Sequence, residues 1–399
     1  MTNAPPREGS EGPDNGFHPK ESVKFCRLGN DCLVFDEAAQ AVYRLDPLSG
    51  ALWEALSAGR ARREIVKDLA EAVGQNVGEA EGFIAACLAE WKARGLLNGG
   101  EGEWADAPAH PVGSMTPRQK VSAGAVYEVG GMRFAVDFPD DETFSAWEAL
   151  AGHMRSGASS KGDVALSVLP EGAGYRVDRP GDTQTGLEDA SAVAVHLKEQ
   201  VLRIILAGTP GVFALHAAAL DHRGAAVLIA GGSGRGKTTL AACLHAGGLP
   251  VIADDVALID PSQPSVSGLA FSFAVKAGAV GVLGPAYGEL PAEPGYLRPD
   301  GKMVKYLRPR NWSAGAAGIG AVVFPRFTLG RACTIEPCTR ADALTALLSE
   351  AVNTDQRLSK AGFAALCDLL KDADCLTAEY GDAGEASSRL LNRLDNGAE

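Results

Sequence analysis

Between residues 21 and 98 the apolar positions first gather in three short runs, 23–26, 32–36 and 41–45, separated by the turn-forming stretches Leu28-Gly29-Asn30 and Glu37-Ala38-Ala39-Gln40. Short runs bounded by such turns predict a small three-stranded meander. The apolar spacing then lengthens, predicting helices over 49–57, 62–73 and 78–94. In the last of these, Phe83, Ala86, Cys87, Leu88 and Trp91 fall on adjoining helix faces. Leu96-Leu97 closes the unit by folding back onto its core.

A second, longer unit follows. Strand-like runs at 126–129, 132–136 and 164–169 flank a short helix near 142–153, and a longer amphipathic helix is predicted over 190–206. Further apolar runs at 212–219, 225–230 and 249–253 predict strands, and 238–245 predicts a helix between the last two. Beyond residue 310, a late core strand is expected at 321–324, with covering helices at 341–353 and 361–370. The resulting division is a tail at 1–20 expected to be disordered, a compact unit at 21–98, a linker at 99–120 rich in loop signals, a lead-in segment at 121–210 and a main body at 211–399.

The chemistry is concentrated in the main body. Gly231-Gly232-Ser233-Gly234-Arg235-Gly236-Lys237-Thr238 fits the pattern G-x-x-x-x-G-K-[ST], with Thr239 following. In such loops the glycines let backbone N–H groups cradle phosphates, the lysine reaches the outer phosphates and the hydroxyl sits on Mg²⁺. Strand, loop and helix come in the order the pattern requires, and the helix N-terminus adds unpaired N–H groups and partial positive charge. Seventeen residues after Lys237, the apolar run 249–253 delivers Asp254 and Asp255 at its carboxyl end. In a parallel sheet that end is where ligands bind. The structural alternative is that the two acids cap the next turn.

These residues, with His216 fifteen positions before Gly231, resemble the core of the HPr kinase/phosphorylase family over roughly residues 121–350. The resemblance implies an α/β fold, a P-loop core of the HPr-kinase and PEP-carboxykinase type. It also implies ATP and Mg²⁺ as cofactors and transfer of phosphate to a serine hydroxyl. It gives Lys237 the β- and γ-phosphates, Thr238 the metal, Asp254 a supporting place at that metal and Asp255 the role of general base, with His216 facing the same cleft. Phosphoryl transfer independently needs positioning, charge neutralisation and a carboxylate near the attacking hydroxyl. Lys276 and Lys302 resemble lysines of shorter relatives that neutralise phosphate charge; each also reads as a solvated surface lysine. The chain departs from the family where Thr238-Thr239 replaces the usual serine after the lysine. The family's later glutamate and arginine-containing signature is not found either. HPr itself and the reverse reaction are therefore not implied. An ABC-type signature and the N-K-x-D motif of GTPases are both missing from the sequence.

The first unit has its own resemblance. Tyr43-Arg44-Leu45-Asp46, Gly50-Ala51-Leu52-Trp53-Glu54, Ile65-Val66-Lys67-Asp68-Leu69 and the stretch from Phe83 to Leu97 are similar to PqqD and related leader-peptide recognition elements. That implies a small α+β, winged-helix-like domain that binds an extended peptide, such as a ribosomal peptide precursor, as an added strand. The competing reading is a DNA-binding or purely structural module. Residues 21–98 hold nine Lys/Arg against twelve Asp/Glu, a poor balance for tracking phosphates. Together the two units read as a kinase of a captured peptide. The alternatives are a nucleotide-binding chaperone or sensor, and a small-molecule kinase.

The net charge of −13 over 399 residues argues against nucleic acid or an anionic membrane as main partner. No run of 18 apolar residues occurs and the first 21 residues are polar, so neither a signal peptide nor a span is expected and the cytoplasm is the default. Eight cysteines without a C-x-x-C pair predict reduced thiols, no zinc and no disulfide framework. Oligomeric state is left open.

Overall fold

The computed structural model describes residues 17–73, 76–98, 123–157, 162–179, 182–352 and 357–396. It is a mixed α/β chain of two compact units, 1–107 and 108–399. The linker assigned to 99–120 and most of the tail assigned to 1–20 lie outside the described residues. Residues 17–20 are the exception: Phe17 is buried and the Lys20 N–H donates to the Leu96 carbonyl, so this end of the assigned tail is part of the first unit. Composition had hidden it because one aromatic anchors an otherwise polar stretch.

In the first unit β1 (Val23–Leu28), β2 (Asp31–Asp36) and β3 (Ala41–Leu45) form an antiparallel meander in the order β1-β2-β3. Three helices follow, α1 (Pro47–Ser57), α2 (Arg62–Val73) and α3 (Val77–Ala93). Asp46 starts α1 by accepting from the Leu48 and Ser49 N–H groups, with Pro47 fixing the first turn. Asn76 and Glu79 form a capping box that starts α3. Phe17, Trp53 and Trp91 meet edge-to-face in the core, with centroids 4.8 to 5.9 Å apart.

The second unit opens with β4 (Ala123–Val129), β5 (Met132–Phe138), α4 (Asp141–Ala151), β6 (Val164–Glu171), β7 (Gly174–Arg179), β8 (Asp182–Leu187) and α5 (Ala190–Gly208). Next come β9 (Phe213–Leu215), β10 (Ala217–His222), β11 (Ala225–Ala230), α6 (Lys237–Ala246), β12 (Val251–Ala253), β13 (Ala257–Asp260) and β14 (Ser265–Gly268). The chain continues through β15 (Phe273–Lys276), α7 (Ala277–Leu283), β16 (Gly295–Leu297), β17 (Met303–Leu307) and β18 (Ile319–Phe327). It ends with β19 (Thr334–Pro337), α8 (Arg340–Leu348), β20 (Ala351–Val352), α9 (Lys360–Leu370), β21 (Asp374–Tyr380) and α10 (Ala383–Asn396).

Strands β4 to β8 form one sheet in sequence order; its single parallel pair, β5 with β6, is joined by the α4 crossover. Val193, Leu197, Val201 and Ile205 of α5 pack into the same core as Phe134, Trp147 and Phe271. The central sheet has the order β12-β10-β11-β18-β21-β19, and Leu240 and Leu244 of α6 share its core with Leu390 of α10.

The parallel sheet expected around the glycine loop is in fact mixed. Strands β11, β18 and β21 run parallel, but β10 is antiparallel to β11 and separates it from β12. Two reversals restore the direction: β12 runs with β11, so their carboxyl ends lie at the same edge of the sheet. The strand expected over 212–219 is split at His216 into β9 and β10, which belong to different sheets. Among the described residues no helix is long and apolar enough to cross a membrane.

Candidate functional site

The carboxyl edge of the central sheet gathers the chemistry. Buried β11 leads into the glycine loop, where Gly231, Gly234 and Gly236 take φ of +137°, +83° and +98°. At Gly236 the close approach is as demanding as the dihedral, since a Cβ there would sit 2.6 Å from Tyr380 Oη. Gly236 is also the cap residue of α6, and no side chain caps the helix. The first N–H groups of α6 therefore face the loop, which is the general form of an anion cradle. Lys237 is buried and its ammonium donates to the Gly231 carbonyl across the loop. Burial pulls its pKa below the ordinary lysine value, against the raising influence of Glu350, Asp255 and Asp254. Thr238 and Thr239 are half-buried in the first turn of α6, and Gly232, Ser233, Gly234 and Arg235 are exposed.

Asp254 and Asp255 follow directly after β12, where the strand has ended, and Asp255 adopts φ +76°. The two carboxylates have opposite environments. Asp254 is 2% exposed; its Oδ2 accepts a long 3.4 Å bond from the Ala274 N–H and its Oδ1 has no hydrogen-bond partner among the described residues. Burial, with the neighbouring Asp255 charge, pushes its pKa up to about 7. Asp255 has both oxygens engaged. Lys198 Nζ donates to Oδ2 at 2.9 Å and His216 Nε2 lies 2.8 Å from Oδ1. The Lys198 charge, chiefly, holds this carboxyl well below the usual range against the effect of burial.

His216 sits at the break between β9 and β10, the point where the chain passes from one sheet to another. Its Nδ1 lies 3.3 Å from Glu350 Oε2 and its backbone N–H donates to the Glu350 carbonyl. Both ring nitrogens thus face carboxylates. Lys198 reaches in from α5 and lies 5.5 Å from the centre of the Phe271 ring. Burial alone would lower its pKa; Asp255 outweighs that and raises it.

The fold therefore brings Lys237, His216, Asp254 and Asp255 to one edge, and adds Lys198 and Glu350, which the sequence reading missed. Lys276 is exposed at the start of α7, and its charge is felt by Lys237. Lys302 is placed in an exposed turn, paired with Asp300 at 2.8 Å. No cluster of three or more His, Cys, Asp or Glu side chains suited to a metal occurs among the described residues. Asp254 nevertheless offers a buried carboxylate oxygen without a hydrogen-bond partner among the described residues, and such oxygen donors are what Mg²⁺ takes alongside water and phosphate.

The first unit offers a different kind of site. Among the described residues β1 and β3 each pair with β2 and are the two outer strands of the meander. Beside β3, the Arg94 guanidinium stands 5.3 Å from the centre of the Tyr43 ring. No curated protein matches the chain. Residues 31–97, which include β2, β3 and all three helices, match the family model described as coenzyme PQQ synthesis protein D (PqqD), so the chain carries a PqqD-like domain at its N-terminal end.

Proposed function

We propose that the chain is a cytoplasmic, ATP- and Mg²⁺-dependent kinase of a peptide, in which the PqqD-like domain captures a ribosomally made precursor and the second unit phosphorylates a serine hydroxyl. The observation that carries this reading is the meeting of Lys237, on the glycine loop, with Asp254, Asp255 and His216 at one sheet edge. The whole of the second unit is then a P-loop core of the HPr-kinase type.

In this mechanism the backbone N–H groups of the loop and Lys237 hold the phosphate chain, and the helix dipole of α6 favours its charge. The Asp254 carboxylate and the Thr238 hydroxyl would hold Mg²⁺, which supplies charge neutralisation on the phosphates when bound. The substrate hydroxyl approaches Asp255. Its oxygen forms the new bond to the terminal phosphorus as the bond to the leaving ADP oxygen breaks, and its proton passes to Asp255. A carboxylate held so firmly ionised is a weak base. Proton transfer is accordingly late, which suits a loose transition state in which the nucleophile needs aim more than activation. Lys198 and His216 supply the aim by fixing both Asp255 oxygens.

Peptide capture raises the local concentration of the hydroxyl at the transfer site through the connecting chain. The test is transfer of label from radioactive ATP to peptides encoded beside the gene. Deleting residues 1–100 is expected to abolish peptide phosphorylation and spare ATP binding, and Asp255→Asn to stop transfer while sparing ATP binding. Phosphorylation unchanged by the deletion sinks the capture role.

One observation favours a second reading. Because both Asp255 oxygens already have partners, the unit also suits a nucleotide-switched peptide chaperone without transfer. Wild type that binds ATP and peptide but labels no peptide decides for it.

A further inference from the structure

The order of the central sheet gives the glycine loop two unlike flanks. On one side β10 and β12 bring His216, Asp254 and Asp255 to the carboxyl edge. On the other, β18 and β21 end at Phe327 and Tyr380. Two large apolar side chains are exposed on this second flank, Phe327 at 45% and Leu329 at 86%. A single exposed leucine needs no explanation, but two apolar groups side by side at the rim of one loop are not scattered surface.

The flank is joined to the loop. The Phe327 N–H donates to the Arg235 carbonyl at 3.3 Å, and a Cβ built on Gly236 would lie 3.3 Å from Phe327 Cβ. The segment is also held in shape. The Thr328 N–H donates to the Tyr380 carbonyl at 2.9 Å, the Arg331 N–H closes a turn onto the Thr328 carbonyl at 3.0 Å, and Gly330 takes the φ of +75° the turn requires. Glu379 accepts from Arg326 at 3.4 Å and from Arg331 at 3.1 Å. The Phe327 ring meets Tyr380 edge-to-face with centroids 6.0 Å apart. A fixed turn thus holds a partly exposed aromatic ring and an exposed aliphatic side chain beside the loop.

Resting on the nucleotide reading of the loop, we propose that Phe327 and Leu329 form the platform for the purine base. The reacting end of a nucleoside triphosphate must face the flank that holds the carboxylates. Its other end, ribose and base, then leaves the loop on the opposite flank, where the turn stands. A base has an apolar π-face whatever its edge, so it stacks on Phe327 and is covered by Leu329. Such stacking contributes about 1–3 kcal/mol per base, which converts to roughly five- to over a hundredfold in affinity.

The test compares equilibrium binding of ATP and of inorganic tripolyphosphate to the full chain in Mg²⁺ buffer. Tripolyphosphate carries the charge that the loop takes but no base. Two variants are used: Leu329→Ser, which alters a side chain with little packing, and Phe327→Leu, which keeps the Cβ against Gly236 and removes the ring. Wild type is expected to bind ATP more tightly than tripolyphosphate. Each variant is expected to weaken ATP binding, by about tenfold for Phe327→Leu, and to leave tripolyphosphate binding unchanged. Equal affinity of wild type for the two ligands, or variants that weaken both alike or neither, overturns the platform and leaves the nucleotide reading standing. Wild type that binds neither overturns both.

Discussion

Lys198 and Asp255 join two parts of the second unit that the sequence keeps 57 residues apart: the ammonium from α5 lies 2.9 Å from an oxygen of a carboxylate whose backbone is left-handed. A non-glycine residue at φ +76° costs on the order of 1 kcal/mol and persists only where surroundings over-determine it. Here the surroundings are Lys198 and His216, one on each oxygen. Removing the cation leaves a poorly solvated carboxylate without its main partner. Their side chains are 20% and 38% exposed, so water screens part of the interaction. Lys198→Met is expected to destabilise the chain by about 1–2 kcal/mol in denaturant unfolding. Lys198→Arg should keep most of the loss from appearing. In a double-mutant cycle with Asp255→Asn the two changes should be clearly non-additive; additive effects would mean that the pair does not couple.

Asp254 imposes a pH dependence of definite sign. Its pKa rises from an ordinary 3.8 to about 7 in the folded chain. The native state therefore holds a proton that the unfolded state releases, and stability contributed by the protonated form is lost as pH rises from near 4 through about 7. Asp255, held low by the Lys198 charge, acts oppositely and only on the acid side: its contribution is present above the ordinary carboxylate range and is lost as pH falls through its depressed value. Asp254→Asn removes the first effect alone. Measured in chelator without added Mg²⁺, the variant's stability relative to wild type should climb between pH 4 and pH 8, by at most about 4 kcal/mol. A difference that stays flat over that window would show that Asp254 titrates normally.

The local elements were more legible than their arrangement. The meander and helices of the first unit follow from the short apolar runs and the longer spacing after them, and in the structure their ends lie within two residues of the expected ones. The interposition of β10 between β11 and β12 was not legible, because strand order depends on long-range pairing that no local pattern encodes. Nor was the split at His216, since an apolar run reads as one strand whether or not it changes sheets. Lys198 did leave a trace. It falls on the same helical stripe as the buried Ala194, Val201 and Ile205, where a lysine is out of place. Glu350, in a turn after α8, left none.

The junction of α1 with β2 depends on a glycine for space alone. A Cβ on Gly50 would lie 2.2 Å from Cys32 Sγ and 2.5 Å from Cys32 Cβ, and the Gly50 backbone is ordinary helix. Gly50→Ala must therefore push the helix off the strand, at a cost of about 1–3 kcal/mol. Hydrogen exchange should quicken in β2 and α1 while the amides of β11 keep their protection. Cys32→Ala in the same chain trims the obstructing sulfur and should restore part of the protection. If exchange in β2 and α1 is unchanged in Gly50→Ala, the close contact is not real.

The glycine loop allows a finer comparison, because two of its glycines share a dihedral requirement and differ in surroundings. Gly234, at φ +83°, has no heavy atom within 4 Å of a built Cβ, so alanine there meets backbone strain only, about 1–2 kcal/mol. Gly236, at φ +98°, adds contact with Tyr380 Oη at 2.6 Å and Phe327 Cβ at 3.3 Å. Gly236→Ala should therefore be the more destabilising of the two. The Tyr380 ring carbon is 3.6 Å from the built Cβ, an ordinary contact, so Tyr380→Phe removes the worst clash without emptying the space. Denaturant unfolding of the single and double variants should show Tyr380→Phe recovering stability in Gly236→Ala and none in Gly234→Ala. Equal recovery in both would locate the effect of Tyr380 away from the loop.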